Sequence, residues 1–513
     1  MRDPAVRIMV GGAWPYANGP LHIGHLTALL PGDAIARYWR MRGADVCYIS
    51  GSDCHGTPIT ARAFREGVAP VELTAHYHSR FTKTLERYGF SFDRFGSTSN
   101  PEHIAFASDF HRSLASSEYV EDRDAPQAFC PRCAVPLVGR MTVGTCSRCG
   151  STSRGDQCSS CGALQDPATM RRAVCARCGS PVSVGTSRQR FLLLGKLAPR
   201  LREFLDSRAW PSNAVAPTRE YLQNPGDLAM SRSIEWGIPM PGLEDKTIYM
   251  WCEDMLGYLS QSLALDPAGF DELWRSPESY HYLVFGIDNL LFHSVVFPAM
   301  LMPGGWHLPD QLVCSEFLTL GGRRIATSDN WALWADDIAA VCSPDLLRWY
   351  LLAHGTLGGT ADFTVGGFLD AVDSGLPGMV NRLHLEDRII PDTYLEETFT
   401  QVGDAIAEGR PDRALRLIED FIFQNPTAHA LANLAVLLRP FCPETADRLG
   451  AQLGVGNEKW EPVGVPSGEA NGPIFDMPDA RALHVLEARA TSKEPGPVVP
   501  FNANTLLPSG SRR

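Results

Sequence analysis

Residues 10–25 read V-G-G-A-W-P-Y-A-N-G-P-L-H-I-G-H, and the rest of the chain is arranged around them. A β-rich run over residues 6–10 ends in glycines, and the segment after His22 has the pattern of a helix. A strand that feeds a helix through a Gly/Pro-rich turn sets backbone N–H groups and the positive end of a helix dipole beside any bound phosphate. His22 and His25 stand three apart at that helix start, so both imidazoles can face one ligand. Gly24 between them lets a nucleotide base come close to the backbone.

Outward from this stretch, residues 1–117 read as the first half of a parallel α/β domain. Residues 6–10 and 46–49 are buried-strand candidates, with an amphipathic helix carrying Leu30, Ile35, Tyr38 and Trp39 between them. Residues 191–334 supply the second half: a strand at 247–250, a helix at 251–263, a strand at 282–285, a helix at 289–300 and a strand at 312–314. Strands alternating with helices of this length predict a doubly wound parallel sheet. Residues 335–455 read as a helical bundle, with stripes at Leu346, Leu347, Tyr350 and Leu351 and at Leu415, Ile418, Phe421 and Ile422. Residues 456–513 are rich in Pro, Gly and Ser and are expected to be an extended tail, apart from a short helix near 480–488.

Residues 118–190 form an insert of a different kind. Eight of the 14 cysteines fall there in four C-x-x-C pairs, the spacing by which thiolates converge on tetrahedral zinc. The pairs nest, with Cys146, Cys149, Cys158 and Cys161 as an inner knuckle and Cys130, Cys133, Cys175 and Cys178 as an outer one. Four thiolates leave no open coordination position, so both expected Zn²⁺ sites are structural.

Composition bounds the class. The chain has 513 residues, 44% of them hydrophobic and 20% charged, which suits a globular protein of several domains. No apolar run is long enough to span a bilayer and no signal-peptide pattern opens the chain, so the expectation is a cytoplasmic protein without membrane contact. A net charge of −12 argues against a broad basic surface for nucleic acid.

The block P-Y-A-N-G-P-L-H-I-G-H resembles the nucleotide-binding signature of class I aminoacyl-tRNA synthetases, with flanks like those of the methionyl enzymes. Three further stretches carry the likeness: G-S-D-C-H-G-T-P-I from Gly51, M-S-R-S-I-E-W-G-I-P-M-P-G from Met230, and P-D-L-L-R-W-Y-L-L with M-V-N-R at the start of the bundle. Zinc knuckles in an insert that splits the nucleotide-binding fold belong to the same family pattern. The resemblance implies that Gly19, His22, Gly24 and His25 hold ATP, with Mg²⁺ on its phosphates. It further implies that Asp53 holds the substrate's α-ammonium, and that Ala13, Trp14, Tyr16, Trp251, Tyr258 and His293 line the amino-acid site.

Three departures from the family pattern bear on function. The lysine-rich K-M-S-K-S loop is replaced by L-T-L-G-G-R-R-I-A-T-S from Leu318, with Arg324 at the first lysine, Thr327 at the second and Ser328 retained. Arg323 and Arg324 leave two cations to offset charge as pyrophosphate departs, in a loop where one lost donor costs about 3–4 kcal/mol. In the amino-acid pocket, Trp14 stands where leucine is usual, Asp254 replaces an alanine and Asn289 an apolar wall residue. Methionine offers nothing to buried polar groups of this kind, so a smaller or polar amino acid, or one carrying a cation, fits better. In the bundle, the tryptophan of the family's anticodon-reading P-W turn is absent at Pro426–Thr427, and Asn381 and Arg382 are expected to cap and pair within the bundle.

The resulting expectation is a monomeric ATP-dependent amino-acid-activating ligase that passes its adenylate to a small hydroxyl or amine. tRNA is a possible but disfavoured partner. A methionine–tRNA ligase with a divergent pocket and a non-catalytic tRNA-binding or regulatory module are the two alternatives.

Overall fold

A computed structural model describes residues 6–155, 158, 165–327 and 330–492. Five parallel strands make its central sheet: β1 (Ile8–Gly12), β2 (Val46–Ser52), β3 (Arg94–Ser97), β4 (Tyr280–Gly286) and β5 (Gln311–Ser315). Their spatial order is β5-β4-β1-β2-β3. The chain leaves β1 through helix α1 (Ile23–Met41) to β2 on one side, and β4 pairs with β1 on the other. Strand order therefore reverses at β1, and the crevice beyond its carboxyl end is where such sheets bind ligands. The doubly wound α/β fold expected from the pattern is the one observed.

The second half departs from expectation in three places. Residues 247–250 do not form a strand of the parallel sheet. The strand is Leu243–Ile248, antiparallel to Ser231–Arg232 and Pro239–Met240 in a separate three-stranded sheet. Gly242, with φ +81°, makes the reversal that lets Met240 face Leu243. The expected helix over 251–263 is two 3₁₀ turns, Met250–Cys252 and Asp254–Leu256, before α2 (Gly257–Leu265). Here the Asp254 carboxylate accepts the Met255 N–H at 2.6 Å, a local bond that competes with regular helix. The expected helix over 289–300 opens with a π turn, Phe292–Val296, before its α segment Phe297–Leu301. Such turns cluster at functional sites.

The insert leaves the sheet as a long antiparallel pair, Val120–Cys130 with Ser183–Leu192. It ends in a small sheet of Thr142–Thr145, Thr152–Arg154 and Arg171–Cys175. Helices from Pro344–Ala353 to Pro443–Leu453 follow the sheet. Arg348 is fully buried and donates to Asp33 of α1 at 2.7 Å and to the carbonyls of Phe441 and Tyr88, so one guanidinium joins the bundle to the parallel-sheet domain.

The described part of the C-terminal segment is not a free extended tail. Trp460 packs on Tyr38 of α1 and on Phe399, and its indole N–H donates to the Phe399 carbonyl at 3.2 Å. Ile474 and Phe475 are buried, held by Asn381, whose Oδ1 accepts both their N–H groups at 2.8 and 2.9 Å. Widely spaced apolar anchors in a polar segment hide this packing from a composition argument. The last helix runs Ala480–Thr491, capped by Asp479. Residues 493–513 of the expected tail lie outside the described residues.

Candidate active site

The signature stretch is zipped to the segment after β2. Asp53 donates its N–H to the Pro15 carbonyl at 3.0 Å, and its own carbonyl accepts the Ala17 N–H at 2.8 Å. Ala13 sits between two strands at the switch point, bonded to the Val284 carbonyl and accepting from Ser50 Oγ. His22 is the residue before the first turn of α1, and its ring stacks on that of His25 with centroids 3.7 Å apart. The His22 N–H donates to Nδ1 of His25 at 3.2 Å, so a neutral His25 carries its proton on Nε2. Desolvation pushes His25 down to about 4 and His22 well below its ordinary value. Both imidazoles are therefore neutral near pH 7, and each ring can donate one hydrogen bond.

The arginine loop passes close to this turn, where a Cβ on Gly24 would stand 3.9 Å from Ile325 Cδ1. Leu318–Leu320 turns through Gly321 and Gly322, both at positive φ, into Arg323–Arg324. Arg324 lies 3.7 Å over the Phe317 ring and Arg323 4.6 Å over Trp331. A Cβ on Gly19 would stand 2.5 Å from Thr327 Cγ2, so glycine is required where the loop meets the signature. Ser328 lies outside the described residues.

The other candidate residues meet on the far side of the signature. The Trp14 indole is wedged between Gly51 and Gly257, where a Cβ on either would come within 2.1 or 2.4 Å of the ring. Its edge meets Tyr258, whose hydroxyl bonds to Nε2 of His293 at 3.1 Å. His293 stacks on Phe285, and its Nδ1 donates to the Asn289 carbonyl at 3.0 Å. Asn289 thus enters the site through its backbone. Trp251 packs on Phe292 with ring centroids 3.9 Å apart. Asp53 is fully buried: Oδ1 accepts the His55 N–H at 3.1 Å, and Oδ2 has no partner. Burial, with Asp254 and Glu253 close by, holds the Asp53 carboxyl well above the usual range. The Tyr16 hydroxyl reaches Met250 Sδ at 3.8 Å, and burial beside Asp53 and Asp254 raises its pKa.

Three residues here escaped the motif reading. Glu253 is fully buried and bridges Nδ1 of His55 at 2.7 Å and Nε2 of His103 at 2.8 Å. The only signal for them was the His in G-S-D-C-H-G and the acid before Asp254.

A family model described as tRNA synthetases class I (M) matches residues 8–384. The chain belongs to the class I tRNA synthetases. Methionine–tRNA ligase 1 of Alkaliphilus oremlandii (strain OhILAs) is 34% identical, covering 90% of this synthetase and 95% of the relative. A methionine–tRNA ligase of Bacillus cereus (strain G9842) is 33% identical over 94% of this chain and 98% of its own. Among solved structures, Mycobacterium tuberculosis methionyl-tRNA synthetase in complex with methionyl-adenylate superposes with a TM-score of 0.71 at 19% identity, over 92% of this chain and 99% of that one. The synthetase is accordingly an aminoacyl-adenylate-forming ligase of the methionyl type. Among its described residues no helix is long and apolar enough to cross a membrane.

The synthetase's cysteines gather as the nested pairing predicts. Sulfur atoms of Cys130, Cys133, Cys175 and Cys178 lie within 4.8 Å of one another, as do those of Cys146, Cys149 and Cys158. Cys161 lies outside the described residues. In both groups the second residue of a C-x-x-C pair donates its backbone N–H to the first sulfur, Cys133 to Cys130 at 3.3 Å and Cys149 to Cys146 at 3.5 Å. N–H donors aimed at sulfur suit thiolates, and each cluster could bind zinc.

Proposed function

We propose that this synthetase forms an adenylate from a small or polar amino acid and passes it to a small hydroxyl or amine acceptor rather than to tRNA. The observation that carries the reading is Trp14, whose indole lies in the space that Gly51 and Gly257 leave open by lacking side chains. The ring takes up room that a long apolar side chain would need, and Asp254 adds a polar group near Asp53, Tyr16 and Tyr258. Asp53 would hold the α-ammonium, while Ala13, Tyr16, Trp251, Tyr258, Asn289 and His293 complete the amino-acid site. Gly19, His22, Gly24 and His25 would hold ATP, with Ser328 on the loop, and Mg²⁺ would arrive on the phosphates. The substrate carboxylate attacks the α-phosphate, and Arg323 and Arg324 offset charge on departing pyrophosphate. The protein positions and neutralises; it supplies no nucleophile. Eight cysteines would hold two structural Zn²⁺ ions.

The disfavoured tRNA partner rests on the net charge of −12 and on Asn381 and Arg382, which are engaged within the chain, Asn381 with Phe475 and Arg382 with Asp373. The likeness to methionine–tRNA ligases favours the second reading, a methionine enzyme with a divergent pocket. Amino-acid-dependent ATP–pyrophosphate exchange across the twenty standard amino acids separates them. Methionine as the best substrate, joined to robust tRNA methionylation, would overturn the proposal.

A further inference from the structure

The site holds more negative charge than one α-ammonium requires. Glu253 is compensated, bridging His55 and His103 at 2.7 and 2.8 Å. Asp53 and Asp254 are not: among the described residues neither forms an ion pair with a lysine or arginine. Asp53 Oδ2 is buried with no donor. Asp254 accepts one backbone N–H, from Met255. It opens the turn Asp254–Leu256 that leads to Gly257, against which the Trp14 indole packs, and it lies close enough to Asp53, Tyr16 and Tyr258 to raise the pKa of each. Trp14 Nε1 is also buried without a partner; it is a donor that needs an acceptor, so it marks an unmet polar group in the pocket and not a seat for an ammonium. Burial first, then the nearby Asp254 and Glu253 for Asp53 and the adjacent Glu253 for Asp254, hold both aspartates well above the usual carboxylate range, the condition that a cationic ligand relieves.

Resting on the reading of this site as one that activates a small or polar amino acid, we propose that the substrate is a short-chain diamino acid, with its α-ammonium on Asp53 and its side-chain ammonium on Asp254. One carboxylate answers the group common to all amino acids. The second, beside the side-chain pocket, answers a group that only some carry. Trp14 selects for a short arm: its indole fills the space against Gly51 and Gly257, and lysine carries the longest arm of the diamino acids compared.

The test is ATP–pyrophosphate exchange by the full chain with 2,3-diaminopropionate, 2,4-diaminobutyrate, uncharged 2-aminobutyrate, glycine, lysine and methionine. Thermal-shift titrations with the same compounds read binding independently of the chemical step. One of the two diamino acids should exceed 2-aminobutyrate at least tenfold in kcat/KM and raise Tm where 2-aminobutyrate does not. Asp254→Asn should shrink that ratio at least tenfold through KM, and Trp14→Leu should raise the relative rate with lysine. Glycine or 2-aminobutyrate as the best substrate, with the ratio unmoved by Asp254→Asn, would overturn the diamino assignment while leaving the small-substrate reading intact. Methionine as the best substrate would overturn both. Neither exchange nor a Tm shift with either diamino acid would also overturn the assignment.

Discussion

Trp14→Leu combined with Asp254→Ala and Asn289→Ile restores at three positions the side chains usual in the methionyl family. Exchange activity should move towards methionine by tenfold or more in relative kcat/KM. Filling or emptying a methylene-sized space is worth roughly 1–3 kcal/mol, and an unpaired buried polar group can cost more. Asp53→Ala should abolish exchange with every amino acid, since its unpartnered Oδ2 is the atom awaiting an ammonium. An unchanged profile in the triple variant would remove these side chains from the pocket; Asn289, which touches His293 through its carbonyl, is the member whose side chain contributes least to the site as it stands. Motif reading reached Trp14, Asp53, Tyr258 and His293 because each stands at a fixed offset within a short block. It missed Glu253 with His55 and His103 because their bonds cross 198 and 150 positions of sequence, and no local spacing encodes such a meeting.

At the scale of elements, the insert and the arginine loop each make a prediction. Purified protein should carry about two Zn²⁺ per chain, and a chelator should lower Tm, because metal binding to such knuckles is folding free energy. Metal analysis finding well under one Zn²⁺ would sink the reading. Cys130→Ser should cost one ion and leave the inner knuckle's ion in place. Arg324→Ala should slow exchange roughly 100-fold or more at saturating ATP, the range for removing one preorganised donor from departing charge; a change confined to KM would place the guanidinium on ground-state ATP alone. Four strands of the parallel sheet were legible from their apolar runs, whereas the edge strand β3 was not, because R-F-G-S is short and carries no such run. The strand expected at 247–250 was displaced because T-I-Y-M is equally apolar in a hairpin, and periodicity does not distinguish the two. The π turn around His293 has no periodic signal either, since it inserts one residue into an otherwise helical pattern.

For the molecule as a whole, buried neutral histidines set the acid limit of stability. Burial lowers His111 and His293 to about 4 and His281 to about 3, against about 6.5 in an unfolded chain. The folded state binds these protons less readily than the unfolded one. Their contribution is therefore complete above pH ~6.5 and is lost as pH falls towards 4, at up to about 1.4 kcal/mol per pH unit for each histidine. Denaturant unfolding at pH 7.5 and pH 5 should show the loss, and a flat profile between them would contradict it. The general plan, a split sheet with an insert and a helical bundle, was legible because each part has its own composition or period. The docking of residues 456–479 was not, because Trp460 and Phe475 find their partners in α1 and around Asn381 rather than in neighbouring sequence.

The order of the strands has a consequence in time. β1 leaves the ribosome well before its partner β4, which follows about 270 residues later. At roughly 5–20 residues per second the wait is about 15–55 s. Throughout it, I-M-V-G-G offers an unpaired apolar edge to any other nascent chain nearby. A ribosome stalled between the insert and Tyr280 should hold a chaperone-bound, aggregation-prone product, and one stalled after Ser315 should hold a protease-resistant sheet.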